Sequence, residues 1–146
     1  MNFGVEIPFV HHLGFELMLF EGGASQIDYT PLPEHLNSFH VTHGGALMTL
    51  QDVVMATAAR SVQQDMGVVT IEMKTSFMRP APGDGSKFTA KGRLIHRTAT
   101  MAFTEGTVYD NQGRICSHAT GTFKYVKRLA VGPKGVNPLN TVISTD

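Results

Sequence analysis

The residues whose types and spacing suit chemistry lie between Asn37 and Asp52. Gly44 and Gly45 stand just ahead of a run of helix formers, where the first backbone N–H groups of a helix have no intrahelical acceptor. Glycine lets another molecule approach that backbone closely, and the positive end of the helix favours an anion or a developing oxyanion. Asn37 and His43 lie just upstream and add polar groups at the same mouth. Two turns further on comes Asp52, the one charged residue in the run 46–59. At about 100° per residue it shares a face with Gly45, Met48, Met55, Ala56 and Ala59, none of which pairs with a carboxylate. An unpaired carboxylate is costly to bury, so Asp52 either finds a partner from elsewhere or is held as a base or nucleophile. The plain alternatives stand beside this reading. A Gly-Gly pair before a helix is commonly only a turn, and a lone Asp within a helix is commonly solvated.

The elements that must position these residues are legible as changes of period. Residues 46–59 lack Gly and Pro, are rich in Ala, Leu, Met and Val, and predict a helix. Apolar or small side chains fall on nearly every side of it, so it is expected to be wrapped by protein and to end within 61–66, before Gly67. Ahead of it, residues 7–13 predict a short helix or turn stopped by Gly14, and 15–20 with 24–30 an extended arm or bent strand. Pro31 and Pro33 break regular structure, and 35–42 reads as an irregular loop. Beyond the helix Val69, Ile71, Met73, Thr75 and Phe77 alternate with Glu72, Lys74 and Ser76, a half-buried strand. Residues 79–85 form a turn, and 87–94 a second strand. Residues 101–109 and 114–125 make two more, joined as a hairpin at 110–113. A long helix followed by four antiparallel strands is an α+β layout with the sheet curling round the helix.

A chain of 146 residues is ample for one domain with one core. Lys plus Arg total 12 and Asp plus Glu 12, so no global charge draws the chain to nucleic acid or an acidic membrane. The single Cys116 rules out an intramolecular disulfide and fits a reducing compartment. With no signal-peptide pattern near Met1 and no long apolar run, a cytoplasmic protein is expected. His35, His40 and His43 cluster in sequence, but their spacing matches no established zinc pattern, so no metal is expected. The domain is placed at 1–130, with 131–146 an extended or flexible tail.

Asn37, the step to His43-Gly44-Gly45, and Leu50-Gln51-Asp52 resemble the signature of the hotdog-fold acyl-CoA thioesterases, nearest the phenylacetic-acid-pathway branch. His12-Leu13-Gly14-Phe15, Thr70-Ile71-Glu72-Met73, Phe77-Met78-Arg79-Pro80-Ala81 with Gly83-Asp84, and the turn at 110–113 match in order and spacing. The resemblance implies a hotdog fold, a long central helix wrapped by a curved antiparallel sheet, and hydrolysis of a CoA thioester. Asp52 would activate water or attack directly, its apolar surroundings raising its pKa. The Gly44 N–H would polarise the carbonyl, Asn37 and His43 would orient the thioester and its sulfur, and Thr70 would help hold the water. The plainer alternatives are an Asx turn bracing the loop for Asn37, a cap or the filling of a polar pocket for His43, and strand propensity alone for Thr70. Gly45, Met48, Met55 and Phe77 are the expected acyl and thioester contacts, although flexible methionines are as often plain core. Arg79 and Arg97, with Lys74, Lys91 and Arg93, are the candidates for the CoA phosphates. Many relatives carry Gly-Arg or Gly-Lys shortly after the position of His96-Arg97, where this chain has Thr98-Ala99. No cofactor is implied, coenzyme A being part of the substrate. The site would form between two subunits, in a homodimer or homotetramer. Two other classes fit the same residues: a non-catalytic module binding acyl-CoA or acyl-carrier protein, and a hotdog enoyl-CoA hydratase.

Overall fold

The computed structural model describes residues 1–128 and 142–144. In chain order it contains α1 (Pro8–Leu13), β1 (Glu16–Glu21), β2 (Ala24–Tyr29), a 3-10 turn (Pro33–His35), α2 (Gly44–Arg60), β3 (Gly67–Phe77), β4 (Phe88–Arg97), β5 (Met101–Tyr109), β6 (Ile115–Arg128) and β7 (Val142–Ser144). The strands pair antiparallel in the order β1-β2-β4-β5-β6-β3, with β7 added to β6. This is the curved sheet and single long helix expected of a hotdog fold. Most of the expected tail lies outside the described residues; within it, 142–144 pair with 126–128 of β6. Among the described residues no helix is long and apolar enough to cross a membrane.

The segment expected as an extended arm is a β-hairpin. Gly22 and Gly23 both take positive φ, 59° and 86°, which is the two-residue turn that matches the twist of paired strands. β2 then continues the sheet by pairing with β4 along its whole length.

α2 lies across the concave face, held by the strands beneath it. Ser25 Oγ donates to the Val54 carbonyl at 2.5 Å, and Tyr125 Oη donates to that of Ala59 at 2.7 Å. Glycine makes this close approach possible: a β-carbon at Gly92 would collide with the Val54 carbonyl oxygen. Leu47, Leu50, Val54, Met55, Ala58 and Ala59 are buried towards the sheet. The helix is nevertheless not wrapped all round. Gly45 and Met48 are exposed, and Asp52, Val53 and Ala56 are half-buried, so one stripe stays uncovered in the single chain.

β3 departs from the simple alternation read in the sequence. Its pairing with β6 shifts register between Thr70 and Glu72, so Ile71 is the extra residue of a β-bulge. On one side of the bulge Met73, Thr75 and Phe77 occupy the helix-facing positions. On the other side the parity flips, turning Thr70 inward and leaving Ile71 54 % exposed.

Candidate active site

The loop before α2 is folded tightly on itself and pinned to the turn after β3. Burial pushes the Tyr29 hydroxyl up to about 12, and that hydroxyl bonds His35 Nδ1 at 2.7 Å, fixing the start of the loop. Asn37 Oδ1 accepts from the N–H groups of Phe39 and Val41 at 2.9 and 3.3 Å. The Asx-turn reading of Asn37 therefore describes its oxygen, while its Nδ2 donor has no acceptor among the described residues. Thr42 donates through its N–H to Ala81 and through its hydroxyl to Pro82.

His43 is the N-cap of α2, with Nδ1 accepting from the Gly45 N–H at 2.8 Å. That bond fixes the neutral tautomer, leaving Nε2–H as an outward donor. It also takes up the Gly45 amide. Ala46 and Leu47 donate to the His43 carbonyl. The Gly44 N–H, at the first helical position, is left without an acceptor among the described residues. It opens on a hollow of about 620 Å³ lined by Asn37, Phe39, Leu47, Phe77, Met78 and Arg79, among others. Phe77 stands against Gly44, its ring 3.3 Å from where a β-carbon would be.

Asp52 faces elsewhere. It is half-buried, and Thr70 Oγ1 donates to its Oδ1 at 2.7 Å across the gap between α2 and β3. Burial pushes the Asp52 carboxyl above its ordinary value, and the Thr70 bond, which favours the charged form, pulls it part of the way back. The pair opens on a second hollow of about 310 Å³, with Val53, Ala56 and Val68 in its walls. A third hollow, about 670 Å³ between the chain's start and β1, holds none of these groups.

The single chain therefore brings the expected site residues together in two groups. Asn37, Gly44, Phe77 and Arg79 line one hollow, while Asp52 and Thr70 share the other; His43, beside Gly44 in the chain, lines neither. Eight residues of helix separate Gly44 from Asp52, a rise of roughly 12 Å, and in the single chain the two face different hollows. Met48 lies exposed between them. Met55 is wholly buried, with its side chain against Gly106 and Gly121, and lines neither hollow. Arg97 is also remote from the Gly44 mouth: it donates to the Thr98 carbonyl and Gln63 Oε1 and lies 4.3 Å over the Tyr125 ring. Arg93 pairs with Glu105, Lys91 lies over Tyr109, and Lys74 is exposed on β3. Among the described residues no three His, Cys, Asp or Glu side chains gather as metal ligands.

Several features escaped the sequence reading. Leu47, Met78 and the exposed Phe39 in the first hollow look in sequence like ordinary apolar residues. Gln51 is fully buried on the sheet side of α2, and its amide atoms find no partner among the described residues. Its neighbour Asp52 drew attention by charge, whereas a neutral amide gives no comparable signal.

Residues 39–117, more than half of the chain, match the Thioesterase superfamily, and the chain belongs to it. A protein of Saccharolobus solfataricus provisionally named an esterase is 27% identical over 122 residues, 84% of this chain and 85% of that protein. The PaaI protein of E. coli, from the phenylacetic acid degradation operon, superposes with a TM-score of 0.76 at 22% identity, covering 82% of this chain and 84% of its own. The protein smu.793 of Streptococcus mutans, solved bound to acetyl CoA, gives 0.72 at 21% identity, over 80% of this chain and 92% of its own. These likenesses carry the hotdog fold.

Proposed function

We propose that the protein is an acyl-CoA thioesterase whose site is completed by two subunits. The observation that carries this reading is the division of the polar groups between two separate hollows on one helix. A second copy, related by two-fold symmetry, would lay the Asp52–Thr70 pair of one protomer beside the Gly44 mouth of the other. The uncovered stripe of α2 and the unpaired edge strand β3, with Ile71 and Phe77 exposed, provide the surface for such pairing.

In that site the thioester carbonyl oxygen accepts from the Gly44 N–H and the Asn37 Nδ2. Asp52 of the other protomer takes a proton from water, whose oxygen adds to the carbonyl carbon, or attacks that carbon directly. Thr70 holds the carboxylate in its aim. Collapse of the oxyanion breaks the C–S bond, and the thiolate leaves towards the His43 Nε2–H and takes up the proton that Asp52 removed from water. After direct attack the collapse leaves a mixed anhydride on Asp52, which a water hydrolyses while giving its proton to the thiolate. Either route ends in free acid and thiol. The binding of acetyl CoA by the Streptococcus mutans protein supports a CoA thioester as substrate. Arg79, in the Gly44 hollow, is the basic residue best placed for the CoA arm.

The test is thiol release from a panel of acyl- and aryl-CoA thioesters by the protein and its Asp52→Ala variant. The reading expects turnover that falls about 10²–10⁴-fold on substitution, the range for a general base. Turnover unchanged in the variant overturns the Asp52 mechanism. Binding without turnover makes the protein a carrier or sensor, and hydration of an enoyl-CoA without thiol release makes it a hydratase.

A further inference from the structure

The hollow at Asp52 has a wall that belongs to none of the elements named so far. Val5, Glu6 and Ile7, from the segment ahead of α1, close it on the side facing Val53, Ala56 and Val68. That segment is strapped in place. Arg60, at the end of α2, donates through Nη1 to the Phe3 carbonyl at 3.1 Å, and its guanidinium lies 5.7 Å over the Phe20 ring. Gly4 turns the chain there with φ 76°. Phe3 and Ile7 pack against the core, and the His11 N–H bonds the Ile7 carbonyl at 2.9 Å. Val5, Ile7, Val53, Ala56 and Val68 give the hollow its aliphatic walls beside Asp52 and Thr70, and Glu6, Thr57 and Arg60 complete the lining.

We propose that this hollow is the acyl-group site, and that Val5 and Ile7 set the upper limit on the acyl group it accepts. The inference rests on the thioesterase reading for its substrate. A carbonyl placed for attack beside Asp52 sends its acyl substituent onwards into the hollow, away from the CoA arm. An apolar cavity of about 150 Å³ holds one benzene ring. The hollow, about 310 Å³ with part of that at its mouth, takes an aryl group on a short linker or a linear chain of roughly ten carbons at most. Longer chains meet Val5 and Ile7, which the Arg60 strap keeps from yielding.

The experiment compares kcat/KM for acetyl-, octanoyl-, benzoyl- and palmitoyl-CoA in the wild type, Val5→Trp and Ile7→Ala, with calorimetric titration of free octanoate as a readout independent of turnover. Val5→Trp is expected to lose at least tenfold on octanoyl- and benzoyl-CoA relative to acetyl-CoA, and to weaken octanoate at least tenfold. Ile7→Ala is expected to raise palmitoyl-CoA relative to octanoyl-CoA about tenfold, and it stands as a test if the Trp variant does not fold. Thiol release with the same chain-length profile in all folded forms overturns the acyl site and leaves the thioesterase reading standing. Octanoate binding that Val5→Trp abolishes, in a protein releasing no thiol, supports the acyl site and overturns the thioesterase reading.

Discussion

Asp52 and Gly44 divide the proposed chemistry between a side chain and a backbone group, and each half can be removed alone. Burial holds the Asp52 proton more tightly than in the unfolded chain. The sign for stability follows: the raised carboxyl contributes fully at low pH, and its contribution is lost as pH rises through the folded-state value. Asp52→Asn should therefore raise Tm at pH 7, with the gain shrinking in acid, while abolishing most thiol release; calorimetry across pH checks this. For activity, the acid limb of kcat/KM should lie above the ordinary carboxylate range. Thr70→Val should move it higher still, because the hydroxyl that favours the charged form is gone. Gly44 offers a cleaner cut. His43, at φ −60° and ψ 136°, already has the extended conformation that proline requires before it, and proline suits the first helical position. Gly44→Pro removes the free N–H and adds a β-carbon against Phe77, whereas Gly44→Ala brings similar crowding and keeps that donor. The proline variant should lose about 10²–10³ in kcat, as for loss of one oxyanion donor, and the alanine variant far less. Equal losses in the two would assign the effect to Phe77 instead.

At the scale of elements, what the sequence made plain and what it hid follow from how local each cause is. The helix, the hairpin at 110–113 and the strands β4, β5 and β6 depend on neighbours within a few residues and fell close to where the pattern put them, although α2 stops at Arg60, short of the expected 61–66. Gly22-Gly23 was equally local, but a hairpin is recognised only if its two strands are, and the flanking run is short. The bulge at Ile71 is different. Strict alternation from Phe77 back to Val69 turns Thr70 away from the helix, and only the pairing with β6 reverses it. The contact that aims Asp52 thus depends on a register that one strand does not reveal. Close packing of α2 is likewise non-local and hangs on Gly92. Gly92→Ala would force the strand and the Val54 carbonyl apart, at about 1–3 kcal/mol. The expected fall in Tm is roughly 3–10 °C. Because Val54 lies two residues from Asp52, kcat should fall as well; a variant with wild-type Tm would show that the helix is free to shift.

For the molecule as a whole, the stripe on α2 and the outer edge of β3 stay uncovered among the described residues, and the proposed site residues lie in separate hollows. Asp52 was legible in sequence as an acid in need of a setting, but which copy of the chain supplies that setting is not written in any local pattern. If each site draws Asn37 and Gly44 from one protomer and Asp52 from its partner, two dead variants should rescue each other. Asn37→Ala and Asp52→Ala homodimers each carry the same defect in both sites. In a mixed dimer the Asp52→Ala chain still supplies an intact Asn37–Gly44 mouth, and the Asn37→Ala chain an intact carboxylate. One of its two sites is then whole and the other doubly defective. With random reassortment about half of the dimers are mixed, so recovered activity should approach about a quarter of wild type. Mixing without subunit exchange provides the baseline. Activity that stays at the level of the separate variants after demonstrated exchange would place every catalytic group of a site within one chain, against the roughly 12 Å of helix that separates Gly44 from Asp52.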